Sequence, residues 1–233
     1  MRKIIRTIKI LKMKYFQILV LLFLVSCGNK KMVQLPEIDH SEFTEILDVS
    51  PAYIFYDETK KDSIELNRKS LIVTTNWLVN VDKRLTLNQA IPKIVYLQNK
   101  KRNAEVHKNE DAKNFYTCHN TSINNLGFIE FTDIYYLEKQ PNDFNLKPSD
   151  YSIIIQTTAN MEIRSAEETI LKSSETTLLQ DLNKVISENT ESITFHLFFS
   201  EKLSFQNYIS FKSLLNKLTD KKNLIANKEF IFN

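Results

Sequence analysis

The stretches WLVNVDKRLTLNQAI (residues 77–91) and FHLFFSEKLSFQNYI (residues 195–209) lie 118 positions apart and can be laid one on the other. Trp77, Val79 and Val81 fall on Phe195, Leu197 and Phe199, the alternation expected of a strand with one buried face. After the strand, KRLTLNQAI falls on EKLSFQNYI, so that leucine, hydroxyl, large apolar residue, two amides and isoleucine coincide. Thr86 and Ser204 become equivalent helix N-caps, and Gln89, three residues after Thr86, completes a capping box. Each unit reads as strand, tight turn and amphipathic helix. An internal duplication explains the match, with coincidence in a chain rich in Asn, Lys and Ile as its competitor. Pro92 conflicts with a helix capped by Thr86, because it removes a backbone donor inside the helix; a start at Asn88 reduces the conflict.

Outward from the second copy, residues 151–157 (YSIIIQT) form a β-rich run, 158–160 a turn and 161–164 a partner strand. Thr177 and Gln180 make another capping-box match, followed by Leu178, Leu179, Leu182, Val185 and Ile186 on one helical face. A strand over 193–199, a helix from Phe205 to about Thr219 and a last strand over 229–232 complete the order β-β-α-β-α-β. Crossovers of this length predict an α+β domain with both helices on one sheet face.

That order, with the turn Ser200-Glu201-Lys202-Leu203-Ser204-Phe205 between strand and second helix, resembles the periplasmic domain of the ExbD/TolR family of biopolymer-transport proteins. The resemblance covers residues 150–233. It implies the fold, self-pairing into a homodimer, and capture of extended peptides by strand addition, with the edges at 229–232 (Glu229, Phe230, Ile231, Phe232) or 151–157 as the place. The family's usual aspartate at the end of the strand is Ser200 here, while Asp82 holds the equivalent place in the first unit. Family members also carry a transmembrane helix with a proton-conducting aspartate; this sequence has neither, so the expectation carries over the fold and not the proton-motive function.

The first unit is shorter. Residues 52–58 and 63–67 predict a hairpin around TKKD, too close to Trp77 for an intervening helix. Residues 99–126 show no regular pattern, 127–137 (GFIEFTDIYYL) alternate as one strand, and 138–149, with Pro141 and Pro148, form the linker. The expected organisation is a signal peptide over 1–26, a tether over 27–50, an N-terminal α+β domain over 51–137, the linker, and a second α+β domain over 150–233.

At the start of the chain, basic MRKIIRTIKILKMK precedes an eleven-residue apolar run, YFQILVLLFLV, too short for the ~20 residues that span a bilayer. The run ends in LVSC, which resembles the bacterial lipobox, so Cys27 is the expected lipidation site, with a palmitate-type acyl anchor. Met13 offers a second start that leaves a signal of ordinary length. Gly28 after Cys27 leans towards the outer rather than the inner membrane, and the expected location is the cell envelope, facing the periplasm.

The 31 Lys+Arg and 28 Asp+Glu give a formal charge of +3, but six basic residues precede Tyr15. From Cys27 onward 25 basic residues face 28 acidic ones, which argues against a nucleic-acid partner. Two glycines, Gly28 and Gly127, stand where roughly 16 would be average. Phosphate-cradling loops are thereby excluded. With Cys27 lipidated, Cys118 has no disulfide partner.

His107, Cys118 and His119 are the candidates for metal or nucleophile chemistry, but their spacing matches no compact ligand motif, and neighbours 118 and 119 point apart on a strand. No metal or cofactor is expected. His196 and His40 read as solvated, and Glu110-Asp111 and Glu167-Glu168 as surface charges. The expected function is a non-enzymatic binding or assembly module for another envelope protein or a cell-wall polymer such as peptidoglycan. The alternative is an envelope hydrolase using residues 99–126 through Cys118 and His119.

Overall fold

The computed structural model describes residues 31–106, 109–166, 169–189, 192–218 and 225–233. A two-residue strand, β1 (Glu37–Ile38), is followed by the hairpin β2 (Val49–Tyr56) and β3 (Ile64–Asn67). Strand β4 (Asn76–Val81) runs parallel beside β2, helix α1 (Leu87–Arg102) follows, and β5 (Asn114–Asn120) returns parallel beside β4. Strand β6 (Asn125–Glu130) turns back along β5, and β1 lies parallel to the far end of β5.

The second sheet repeats this plan. Strands β8 (Asp150–Thr157) and β9 (Asn160–Arg164) form the hairpin, β11 (Thr194–Ser200) lies parallel beside β8, α3 (Phe205–Leu215) follows, and β12 (Ile225–Phe232) returns parallel beside β11. Neighbour for neighbour, β3-β2-β4-β5 matches β9-β8-β11-β12, including the sense of every pairing. The molecule is therefore α+β, with two sheet-plus-helix halves. The second half carries a piece absent from the first: β10 (Thr169–Ser173), which extends the hairpin beside β9, and helix α2 (Leu178–Glu188). The order expected over 150–233 is thus corrected to β-β-β-α-β-α-β. TILKS is short and set between polar runs, and its strand character comes from the open edge of β9 rather than from its own pattern.

Residues 127–137, expected as one strand, fall in two strands of different sheets. β6 pairs with β5, a turn closes with Ile134 N–H on the Phe131 carbonyl (3.2 Å), and β7 (Tyr135–Glu138) joins the second sheet parallel to β12. An alternating pattern reports a pleat and is blind to which sheet supplies the partner. Residues within the expected tether also take part: β1 lies there, and β2 begins there at Val49.

The helix-facing sides of both sheets contribute to one apolar cluster. It includes Ile54, Val79 and Val81 from the first half, Ile153, Leu197 and Phe199 from the second, and Leu182, Phe205 and Tyr208 from α2 and α3. Both helices of the second half thus lie on one face of its sheet. The opposite face is a smaller cluster, Ile154, Phe198, Phe230 and Phe232, capped by Phe144 with ring centroids 4.8 Å from Phe230 and 5.5 Å from Phe198. Among the described residues no helix is long and apolar enough to cross a membrane.

Thr86 caps α1 through the expected box: Gln89 N–H donates to Thr86 Oγ1 (3.4 Å), and Thr86 N–H donates to Gln89 Oε1 (3.0 Å). Ser204 Oγ accepts from Asn207 N–H (3.1 Å) at the start of α3. Thr177 precedes α2 without capping it; its hydroxyl accepts from Ser174 N–H (3.2 Å) instead. Helix α1 starts at Leu87 and runs through Pro92, so the Asn88 carbonyl has no N–H donor at Pro92.

Candidate binding cleft

The two matching turns meet each other. Leu87 N–H donates to the Leu203 carbonyl (2.9 Å) and Phe205 N–H to the Leu85 carbonyl (2.6 Å); Asn88 N–H donates to Glu201 (3.0 Å) and Gln206 N–H to Lys83 (3.1 Å). Each bond has its counterpart when 118 is added or subtracted, and Thr86 bridges Ser204 at the centre. A local two-fold axis therefore passes between Thr86 and Ser204. The leucines that flank it, Leu85 and Leu203, are buried, as are Leu87 and Phe205.

Close to this axis opens a cleft of about 940 Å³. One wall is the N-terminal half of α1, with Leu87, Asn88, Ile91, Pro92 and Val95. The other is β7 and the residues after it, from Tyr136 to Gln140, with Asp143. Strand β7 is the last strand of its sheet. Lys139 N–H donates to the Ile231 carbonyl (3.2 Å), so alternation turns the backbone of Tyr136 and Glu138 away from β12, and among the described residues the N–H groups of these two have no partner. Glu138, Asp143 and Glu201 outnumber Lys139 in the lining, which makes the cleft acidic.

Beneath the cleft a buried polar chain links both halves. Tyr116 on β5, Tyr136 on β7 and Tyr208 on α3 are joined hydroxyl to hydroxyl at 2.6 and 2.9 Å. Tyr208 then donates to Glu229 Oε2 (2.7 Å), and Lys212 Nζ donates to Glu229 Oε1. Burial pushes all three phenols up, aided by the charge of Glu229, so they act as neutral donors. At the matching turn of the first half, burial raises the Asp82 carboxyl. The Arg84 guanidinium and the N–H groups of Arg84 and Gln34 outweigh that and hold it below its ordinary value. Ser200, at the equivalent position, has no such set of partners.

Several expected residues lie elsewhere. The lipidation expected at Cys27, the signal peptide over 1–26 and His107 fall outside the described residues. The edge expected at Glu229, Phe230, Ile231 and Phe232 is corrected: β12 is paired on both sides, by β11 and β7, and these four side chains are buried. Strand β8 is also interior, between β9 and β11. Residues 99–126, without legible pattern, contain the end of α1 and all of β5. Cys118 on β5 lies in the apolar core, where burial pushes its thiol up, while the adjacent His119 is turned the other way, to Asn124 (3.2 Å). No nucleophile and base are brought together there. His196 is not solvated as expected; it lies under Phe144, with Nε2 3.1 Å from Asp150 Oδ2. Sequence reasoning missed Asn88, Val95 and Glu138, whose only signal was the unexplained Pro92 in a helix. Among the described residues no group of three or more His, Cys, Asp and Glu side chains could hold a metal ion.

No protein-family model, curated protein or solved structure matches this chain.

Proposed function

We propose that the chain is a lipid-anchored protein of the bacterial cell envelope, held at Cys27 and facing the periplasm, that binds an envelope protein or a cell-wall polymer without catalysing a reaction. The observation that carries the reading is the cleft between α1 and the unpaired edge of β7, where backbone donors face a partly apolar wall. An extended segment laid there would gain main-chain hydrogen bonds as an added strand, the mode the ExbD/TolR resemblance implies, at β7 instead of β12. The lipobox LVSC and the short apolar run before it support the anchor, and Gly28 supports the outer membrane. The hydrolase alternative has no such support, since Cys118 faces the core and His119 does not reach it.

The test uses the lipidated chain in its native envelope. A photo-crosslinking residue at Pro92 or Glu138 is expected to give a discrete adduct with a protein or glycan. The absence of an adduct at both positions overturns the cleft as the binding place. Cys27→Ser is expected to move the protein from the membrane to the soluble fraction, and a variant still fully membrane-bound overturns the anchor.

A further inference from the structure

The local two-fold places the open cleft opposite a groove that the chain already fills. On α3, residues Gln206, Ser210 and Ser213 correspond to Asn88, Pro92 and Val95 on α1. The α3 face is covered by β1 and its neighbours. The Gln206 side-chain amide accepts from Glu37 N–H (2.8 Å) and donates to the Glu37 carbonyl (2.8 Å), while Ser213 Oγ donates to the His40 carbonyl (2.9 Å). Lys83 anchors the segment twice, through its N–H on the Gln34 carbonyl (2.8 Å) and its ammonium on Glu37 (2.6 Å). Only about 290 Å³ remains open beside this docked segment, against about 940 Å³ in the cleft.

At the corresponding place on α1, Asn88 offers the same amide, exposed and without a hydrogen-bond partner for its side chain among the described residues. Val95 and Pro92 replace the two serines, giving a more apolar floor. The charge is reversed: Glu201 stands where Lys83 meets Glu37, with Glu138 and Asp143 nearby. The strand ends differ as well. Glu201 N–H donates to the Phe232 carbonyl (2.7 Å), so β11 and β12 stay joined where β4 and β5 part, and the free backbone partner is β7.

We propose that the cleft is the vacant counterpart of this self-docked groove and takes an extended peptide segment of a partner protein, its main chain clamped by the Asn88 amide as Gln206 clamps Glu37, with a basic side chain facing Glu201. The inference deepens the binding-module reading and rests on it. A second copy's own residues 34–40 would bring Glu37 against Glu201, a like-charge contact that disfavours them.

The probes are fluorescein-labelled VQLPKIDH and VQLPEIDH, the chain's residues 33–40 with and without Glu37→Lys, titrated into the full chain in detergent. The lysine peptide is expected to bind about tenfold more tightly. Glu201→Lys should reverse the preference, Asn88→Ala should weaken binding about fivefold, and Asn88→Gln should restore it. Pro92→Trp, a change at an exposed position, should block both peptides while leaving the circular dichroism spectrum intact. Equal binding of the two peptides, binding of neither, or unchanged binding to Pro92→Trp overturns the assignment. A crosslinked adduct in the envelope beside any of those results leaves the binding module standing with a different ligand chemistry.

Discussion

Helices α1 and α3 are related by the local two-fold, start from equivalent caps, and present amides one position after equivalent apolar residues, yet their outer faces differ. The α3 face is covered by residues 34–40, which Asp82 and Lys83 hold by backbone and side-chain bonds. The α1 face is open, because Ser200 and Glu201 lack those bonds and β11 and β12 close against each other. The buried lysines diverge as well. Lys212 on α3 meets Glu229, whereas Lys101 on α1 donates to the Thr75 (3.1 Å) and Lys113 (2.9 Å) carbonyls and lies over the Trp77 ring. A duplicated frame thus fixes backbone geometry in both halves, and a few polar side chains decide whether a groove is filled or free.

The two halves differ most at Glu229, whose register counterpart on β5 is Tyr116, since Leu197 pairs with Glu229 as Val79 pairs with Tyr116. Glu229→Ala leaves Lys212 buried without its carboxylate and should cost about 3–5 kcal/mol in urea unfolding. Tyr116→Phe removes one hydroxyl from the chain and should cost about 1 kcal/mol. Equal losses would show that the halves carry the network alike.

Leu85→Ala and Leu203→Ala sharpen the symmetry itself: both should cost about 3 kcal/mol, because both leucines are buried beside the axis. A loss at one position alone would argue against an equal share for the two turns. Gly127 tests the docked segment, since a Cβ there would lie 2.6 Å from Ser41 Oγ. Gly127→Ala should cost about 1–3 kcal/mol and raise amide exchange at residues 37–43 without affecting α1. The caps give a smaller effect. Thr86→Ala and Ser204→Ala should each cost about 1 kcal/mol, with Thr86 the more sensitive because its hydroxyl both accepts from Gln89 N–H and donates to Gln89 Oε1, whereas Ser204 Oγ only accepts from Asn207 N–H.

The last effect is a slope with pH rather than a single loss. Burial lowers Lys101 from its ordinary 10.5 to about 8. Between these values the unfolded chain keeps a proton that the folded chain has released, so this side chain's contribution to stability rises as pH climbs through that window. Lys101→Met should remove the rise, read as the difference between parent and variant unfolding at pH 8 and at about 9.5, below the ordinary tyrosine range. Parallel profiles would show that Lys101 keeps its charge in the fold.

The legible parts were those whose signal is local. Thr86 and Gln89 make the capping box that their spacing requires, Ser204 caps its helix, and the hairpins over 49–67 and 150–164 form where β-rich runs flank polar turns. Strand β5 was not legible because NFYTCHN lies between neighbours on both sides, where asparagine and threonine are buried by the sheet instead of marking a solvent face. The break at 131–134 was hidden for a related reason, since alternation continues through a change of sheet. The cleft was legible only as an anomaly, Pro92, because its second wall lies more than forty positions further along the chain.

The repeated strand-turn-helix unit, its caps and the α+β class follow from the amino-acid order alone, since these depend on contacts within a few residues and on periodicities of two and 3.6. Long-range packing sets the rest: the two turns bond to each other about an axis, β12 is interior, and one of two equivalent helix faces is left open. Those outcomes depend on which distant strand ends remain paired and which polar side chains reach a backbone from another segment, and neither leaves a trace in local pattern.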